Sequence, residues 1–236
     1  MLGIAALAGC ARTPEATPET AQVPGTTTAA VPPAAATVQK PSAPVAIPDS
    51  DTALFALPGA FAPDTALADL QQRYGKANVR VGDVPGAEGT TARGIVLFPN
   101  DPSRLAYLYF HDEKTLAGLS MMRVSGPVSR WKFDNGIGIG TPLSELLRRN
   151  GKPIKFYGFD WDYGGTITDW NQGKLTPRDD DPIRRFISLG SRDDADDGTY
   201  PVGDSQYASD DPHYPDLATN VVVNEIGVSF PGEGDL

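Results

Sequence analysis

The sequence contains few of the residues on which metal sites and thiol or histidine chemistry depend. Its 236 residues include one cysteine, Cys10, and two histidines, His111 and His213. A single cysteine excludes an internal disulfide, so the hydrophobic core must hold the fold by itself. Neither histidine has a neighbour at metal-ligand spacing, and no G-x-S-x-G, H-E-x-x-H, P-loop or Rossmann glycine motif occurs. We therefore expect no cofactor and no metal.

Serine chemistry is represented by one S-x-x-K spacing, from Ser129 to Lys132. In serine acyl-enzymes this spacing brings the amine and the hydroxyl onto one helical turn. Here Pro127 precedes the pair and the segment is typical of a strand, in which positions i and i+3 lie on opposite faces. We therefore predict no catalytic residue and no enzyme. An enzyme that acts on envelope polymers is the alternative class.

The chain also lacks the basic excess of a nucleic-acid-binding protein. Residues 1–150 carry 13 basic and 13 acidic side chains, whereas residues 151–236 carry 7 basic and 17 acidic ones. The whole net charge of −10 therefore lies in the last third of the chain. Phosphates repel such a surface, which argues against nucleic acid as a partner. It also argues against direct contact of this part with anionic lipid headgroups.

No apolar run is long enough to cross a membrane as a helix, which needs about 20 residues. The first ten residues, MLGIAALAGC, form a short apolar run that ends in small residues, as at the cleavage site of a signal peptide. The tetrapeptide Leu7–Cys10 resembles the bacterial lipobox, although no Lys or Arg precedes the run. The resemblance implies that residues 1–9 are removed and that Cys10 carries a lipid. A soluble chain with an apolar start is the alternative.

Residues 11–50 contain no aromatic residue. They hold eight of the 22 prolines, ten alanines and seven threonines. This composition cannot bury enough apolar surface to offset the entropy of ordering, so we expect a disordered tether. Ala11 rather than aspartate follows the lipobox cysteine. In the sorting rules of Gram-negative lipoproteins, this resembles an outer-membrane destination, with the protein lipid-anchored and facing the periplasm.

An internal repeat organises the remaining residues, 51–236. TALADLQQRYGKAN begins at Thr65 and TPLSELLRRNGKPI begins at Thr141, an offset of 76 positions. Each copy is typical of a short helix. Thr141 can cap the first turn with Pro142 in the first helical position, and Gly151 supplies the left-handed residue that ends the helix. Two unrelated amphipathic helices are the alternative.

Segments rich in β-branched and aromatic residues follow each helix and are typical of antiparallel strands. This pattern predicts an α+β fold made of two tandem helix-plus-antiparallel-sheet repeats, residues 55–133 and 134–236, packed as one domain. The pattern is similar in architecture to outer-membrane assembly lipoproteins and to β-lactamase inhibitor proteins. The stretch GIGIGTPLSELLRRNGKPIKFYGFDWDYGG resembles a group of uncharacterised bacterial lipoproteins, and that resemblance implies no activity.

Residues 156–170, FYGFDWDYGGTITDW, hold six aromatic residues and three aspartates. With Gly164 and Gly165 as a two-residue hairpin turn, alternation places five aromatic side chains on one face and Phe156 on the opposite, polar face. We predict that this face is core packed under the second helix. An exposed platform for a protein or a glycan is the alternative. The five candidate partner-binding residues are Tyr157, Phe159, Trp161, Tyr163 and Trp170.

Residues 179–216 contain eleven aspartates and three arginines. Asp193, Asp197, Gly198 and Asp204 match positions 1, 5, 6 and 12 of an EF-hand-like calcium loop. Position 3 is alanine, however, and position 12 lacks the longer glutamate that binds calcium through both oxygens. We favour an acidic surface loop, with a calcium-dependent ligand-binding protein as the alternative.

The lipobox, the tether and the repeated domain together predict a lipid-anchored protein of the cell envelope. Because the recognised catalytic motifs are absent, we expect a non-catalytic binding or scaffold module. Its expected partners are the membrane, through a lipid on Cys10, and a protein of the envelope.

The anchor itself gives the first testable prediction. Expressed with a complete signal peptide, the protein should fractionate with membranes. The variant Cys10→Ser should be soluble or uncleaved, because the thiol that accepts the lipid is missing. Cell fractionation and mass spectrometry of the mature N-terminus measure both effects. A wild-type protein found without lipid in the soluble periplasmic fraction would contradict the lipoprotein interpretation.

Overall fold

Antiparallel β-sheet makes up most of the regular structure in residues 55–178 and 180–232, the part of the chain that a computed structural model describes. Cys10 and the predicted tether lie outside these residues. Helices and antiparallel sheets occur together, so the predicted α+β class is confirmed. In chain order the elements are β1 (Ala56–Leu57), α1 (Leu67–Tyr74), β2 (Val79–Pro85), β3 (Thr91–Leu97), β4 (Ala106–Asp112), β5 (Ala117–Ser125), β6 (Lys132–Phe133), α2 (Leu143–Asn150), β7 (Lys155–Tyr157), β8 (Ile167–Asp169), β9 (Arg184–Ser191), β10 (Gln206–Ala208), α3 (Leu217–Asn220) and β11 (Val221–Ser229).

The main sheet has six antiparallel strands in the order β2-β3-β4-β5-β11-β9. Strands β2 to β5 form a meander after α1, and β6 pairs in parallel with β1. The strands that follow α2 are divided between two sheets. Strands β9 and β11 join the meander, and the others form a three-stranded sheet in the order β10-β7-β8. A bridge between Thr166 and Ser188 links this small sheet to the outer edge of β9. The two sheets therefore adjoin at β9.

Helices α1 and α2 keep the offset of 76 positions along their whole length. Each has eight residues, and each is followed by a glycine with positive φ, 82° at Gly75 and 76° at Gly151. Gly151 adopts the left-handed conformation that was predicted to end α2. Within the described residues, no helix is long and apolar enough to span a membrane.

The start of α2 differs from the prediction by one residue. Pro142, not Thr141, is the N-cap, and its carbonyl accepts the N–H groups of Glu145 and Leu146. A tertiary contact explains this difference: the Thr141 carbonyl accepts the N–H of Val223 in β11 at 2.9 Å. The Thr141 hydroxyl accepts a backbone N–H from the preceding turn instead of capping the helix.

The hydrophobic core connects both helices with one face of the main sheet. Trp131 is fully buried near its centre, and its indole N–H donates to the Arg104 carbonyl at 2.8 Å. The rings of Phe55, Phe61 and Tyr74 surround it, with centroids 5.2 to 6.4 Å from its own. In a chain without a disulfide, these contacts and the sheet hold the fold.

Gly227 in β11 gives a test of the close packing at this strand. A Cβ atom there would lie 2.5 Å from the Met122 carbonyl oxygen and 2.1 Å from the Phe186 ring. We expect Gly227→Ala to lower the free energy of unfolding by about 1–3 kcal/mol, because backbone and ring must both shift. Denaturation in urea measures the change.

The matched control is Gly82→Ala in the edge strand β2 of the same sheet, where no atom lies within 4 Å of a new Cβ. We expect this variant to stay within about 0.5 kcal/mol of the wild type. Equal stability of the two variants would contradict the close approach of β5 and β9 to β11.

Candidate functional site

The aromatic stretch turns through a wide loop instead of the predicted two-residue hairpin at Gly164 and Gly165. Strands β7 and β8 pair with Phe156 opposite Ile167, and residues 157–166 lie between these paired positions. The predicted register, and with it the predicted alternation of faces, is therefore wrong.

Backbone hydrogen bonds to the segment before β10 explain the wide loop. The Gly158 N–H donates to the Ser205 carbonyl at 3.0 Å. Phe159 donates to Pro201 at 2.8 Å and accepts from Gly203 at 2.9 Å. These bonds lead the chain away from β8, so they compete with the hairpin pairing that the local sequence favours.

The five aromatic residues assigned to one face are divided between the core and the surface. Phe159 is 5% exposed, and its ring centroid lies 5.7 Å from that of Phe156, which is fully buried. Phe156 is thus a core residue, contrary to its predicted place on the polar face. Trp170 is partly buried and packs against the same core. The remaining three residues lie together at the surface.

Tyr157, Trp161 and Tyr163 form a series of three rings that we call the aromatic ladder. The ring centroids of Tyr157 and Trp161 are 5.3 Å apart, as are those of Trp161 and Tyr163, and both pairs are edge-to-face. This geometry is the one that the ring quadrupoles favour. The Trp161 indole N–H donates to the Gly158 carbonyl at 2.9 Å. Tyr163 is 55% exposed, so the ladder presents pre-oriented rings to solvent.

Two exposed aspartates alternate with the ladder residues. Asp160 and Asp162 flank Trp161 in the chain, and neither forms an ion pair with any residue in the ranges 55–178 and 180–232. By contrast, Asp194 lies 2.9 Å from the guanidinium of Arg192. Asp160 has a φ of 65°, which turns the chain between Phe159 and Trp161. The site therefore combines aromatic surface with unpaired negative charge.

The ladder continues the solvent-facing side of the main sheet, which we call the open face. Tyr157 follows the buried Phe156 in β7, so alternation places it on the side away from the core. Its N–H donates to the Thr166 carbonyl at 3.0 Å, and the Thr166 hydroxyl lies 3.3 Å from that of Ser188 in β9. Ser188 in turn pairs with Glu225 of β11.

Tyrosine and arginine side chains occupy the open face beyond Glu225. Arg123 of β5 donates to both carboxylate oxygens of Glu225, at 2.8 and 3.2 Å. Tyr107 lies opposite Arg123 in the neighbouring strand. Tyr109, two residues further on, donates its hydroxyl proton to the Pro85 carbonyl at 2.6 Å, and burial raises the pKa of its phenol. Sequence reasoning did not single out these residues, although the alternation in AYLYF is a signal that could have found the two tyrosines.

The acidic segment does not assemble a calcium site in the part of the chain that the structure describes. No group of three or more His, Cys, Asp or Glu side chains there is placed to hold a metal ion, and this includes Asp193, Asp197 and Asp204. The calcium-dependent alternative therefore has no geometric support.

A groove of about 580 Å³ lies beside α1 and contains ionisable side chains. Its lining includes Asp64, Asp69, Arg73 and Tyr74. Burial raises the pKa of Tyr74, which keeps the phenol protonated and makes it a weaker acid. Ser129, the serine of the S-x-x-K spacing, lies in a turn before β6 and accepts a backbone N–H. Neither observation supports the enzyme alternative.

The fold and the site define an α+β module with one covered sheet face and one open face that ends in an aromatic ladder. Comparisons with protein-family models, curated proteins and solved structures found no match to this chain. The resemblance to lipoproteins stays a prediction, and function must be argued from the site itself.

Truncating single aromatic residues tests the division between core and surface. We expect Phe159→Ala to lower the free energy of unfolding by about 3–5 kcal/mol, because it leaves a cavity in the core. Tyr163→Ala should change it by only about 0.5 kcal/mol, because most of that ring is already in water. Urea denaturation followed by circular dichroism measures both. A Tyr163→Ala variant as unstable as Phe159→Ala would show that the ladder is part of the core.

Proposed function

We propose that this protein is a lipid-anchored, non-catalytic binding module of the cell envelope that binds an envelope protein through the aromatic ladder and the adjoining open face. The observation that carries the proposal is the ladder, since three rings are held in fixed orientation at the surface. Aromatic rings that are left in contact with solvent by the described residues are typical of interaction sites.

The composition of the surface supports a protein partner. Tyrosine, tryptophan and arginine are enriched among the residues that dominate protein interfaces, and the surface contains all three types in the ladder, Tyr107 and Arg123. The contacts of Trp161 with both tyrosines and with the Gly158 carbonyl restrict its rotation before binding. Ordering these side chains on association therefore costs less conformational entropy than ordering free ones.

The proposed anchoring rests on the lipobox resemblance at Leu7–Cys10. A tether of 40 residues reaches about 35 Å as a flexible coil, so the module can meet partners within that distance of the membrane surface. The excess of acidic side chains in residues 151–236 fits a module that contacts a protein and does not lie against anionic headgroups.

Site-specific photo-crosslinking in living cells tests this proposal. A photoreactive amino acid is placed at Tyr163 of the full chain, and at the exposed Gln72 on α1 as the control position. We expect a discrete protein adduct from position 163 that is absent from position 72. The additional change Trp161→Ala should reduce this adduct about tenfold, as expected for a central interface residue.

Adducts are compared only between variants whose protein levels and melting temperatures match those of the wild type. An adduct from position 163 that is unaffected by Trp161→Ala, or the same adducts from both positions, would overturn the ladder as the binding site.

A further inference from the structure

The charges around the aromatic ladder are unbalanced. Besides Asp160 and Asp162, Asp204 lies at this end of the domain, since the preceding Gly203 donates its N–H to the Phe159 carbonyl. All three aspartates are exposed, and none forms an ion pair within residues 55–178 and 180–232. Lys155, two residues before Tyr157, lies opposite an aspartate of β8. The border of the ladder is therefore negative.

Aromatic rings beside carboxylates are suited to bind cations. A guanidinium or ammonium group over a ring face is attracted by the ring quadrupole, and tryptophan is the strongest partner. The domain makes such contacts elsewhere, with Arg104 4.7 Å from the centre of the Phe98 ring and Arg130 4.8 Å from that of Phe55. In the described residues, no cation lies over a ring of the ladder.

From this arrangement we infer that the ladder binds a basic polypeptide segment, with an arginine or lysine side chain over Trp161 and its charge paired with Asp160 or Asp162. This inference rests on the proposed function and names the chemistry of the partner. A neutral partner that covered the ladder would remove water from two carboxylates without replacing it, which is unfavourable. An acidic partner would be repelled. The excess of negative charge in residues 151–236 also steers a basic segment toward this part of the protein.

A synthetic peptide tests the inference on the full chain. The probe is a 12-residue peptide of alternating glycine and arginine, and the comparison peptide replaces every arginine with glutamate. Titration calorimetry at low and moderate NaCl concentrations measures binding. We expect the arginine peptide to bind, with an affinity that falls as salt rises, and the glutamate peptide not to bind.

Substitutions locate the binding site. Trp161→Ala should weaken binding of the arginine peptide about tenfold, whereas Trp161→Phe, which keeps an aromatic ring, should weaken it less. Should Trp161→Ala fail to fold, Tyr163→Ala removes a more exposed ring of the same ladder. The double change Asp160→Asn and Asp162→Asn should also weaken binding about tenfold and reduce its salt dependence.

The matched control removes the same charge elsewhere in the acidic third of the chain. Asp196→Asn with Asp197→Asn changes two exposed aspartates outside the ladder and should leave the affinity within about twofold of the wild type. Equal weakening by both double changes would mean attraction to the overall charge and would overturn the inference.

Two further results separate the inference from the proposed function. If the arginine peptide does not bind but the crosslinked adduct still depends on Trp161, the basic segment is wrong and the binding module stands. Binding of a neutral oligosaccharide that depends on the ladder, without binding of the arginine peptide, would likewise overturn the basic segment. If substitutions in the ladder change neither the crosslinked adduct nor the binding of the peptide, both the inference and the proposed function are wrong.

Discussion

Strand β11 is hydrogen-bonded along both edges, and the rest of the structure depends on this pairing. It joins β5, the last strand of the meander, to β9, the strand on which the small sheet rests. Because Val223 of β11 also donates to the Thr141 carbonyl, the same strand sets where α2 begins. Gly227 permits the close approach of Met122 and Phe186 that this central position requires. The edge of β9 then positions Thr166, and through it Tyr157 at the base of the ladder.

Two alternative sets of backbone hydrogen bonds, those of a tight hairpin and those to the segment before β10, place the aromatic side chains differently. A tight hairpin would have placed Phe159 and Trp161 on one face. The bonds from Gly158 and Phe159 to the segment before β10 instead bury Phe159 and leave Trp161 between two tyrosines. The same bonds place Tyr163 in water and leave the rings of Tyr157 and Trp161 half-buried beside it.

Among the described residues, some acidic side chains have arginine partners and others do not. Glu145 on α2 accepts hydrogen bonds from Arg148 and Arg149, which lower its pKa to about 2. On the open face, Arg123 neutralises Glu225. Asp160 and Asp162 have no such neighbour among the described residues, and they are the acids that border exposed rings. The combination of unpaired aspartates with aromatic rings at the surface distinguishes this end of the open face.

The sequence by itself determined the α+β class, the two helices at their offset of 76 and the glycine that ends each, because helical periodicity and capping depend on residues within about one or two turns. Only the tertiary structure decided the register of the aromatic stretch, the burial of Phe156 and the exposure of Tyr163. Those features depend on hydrogen bonds to Pro201 and Ser205 and on the edge of β9, which lie far along the chain. The local sequence favours a Gly-Gly turn but contains no information about these distant hydrogen bonds. The register of a strand depends on which strands the whole fold brings beside it.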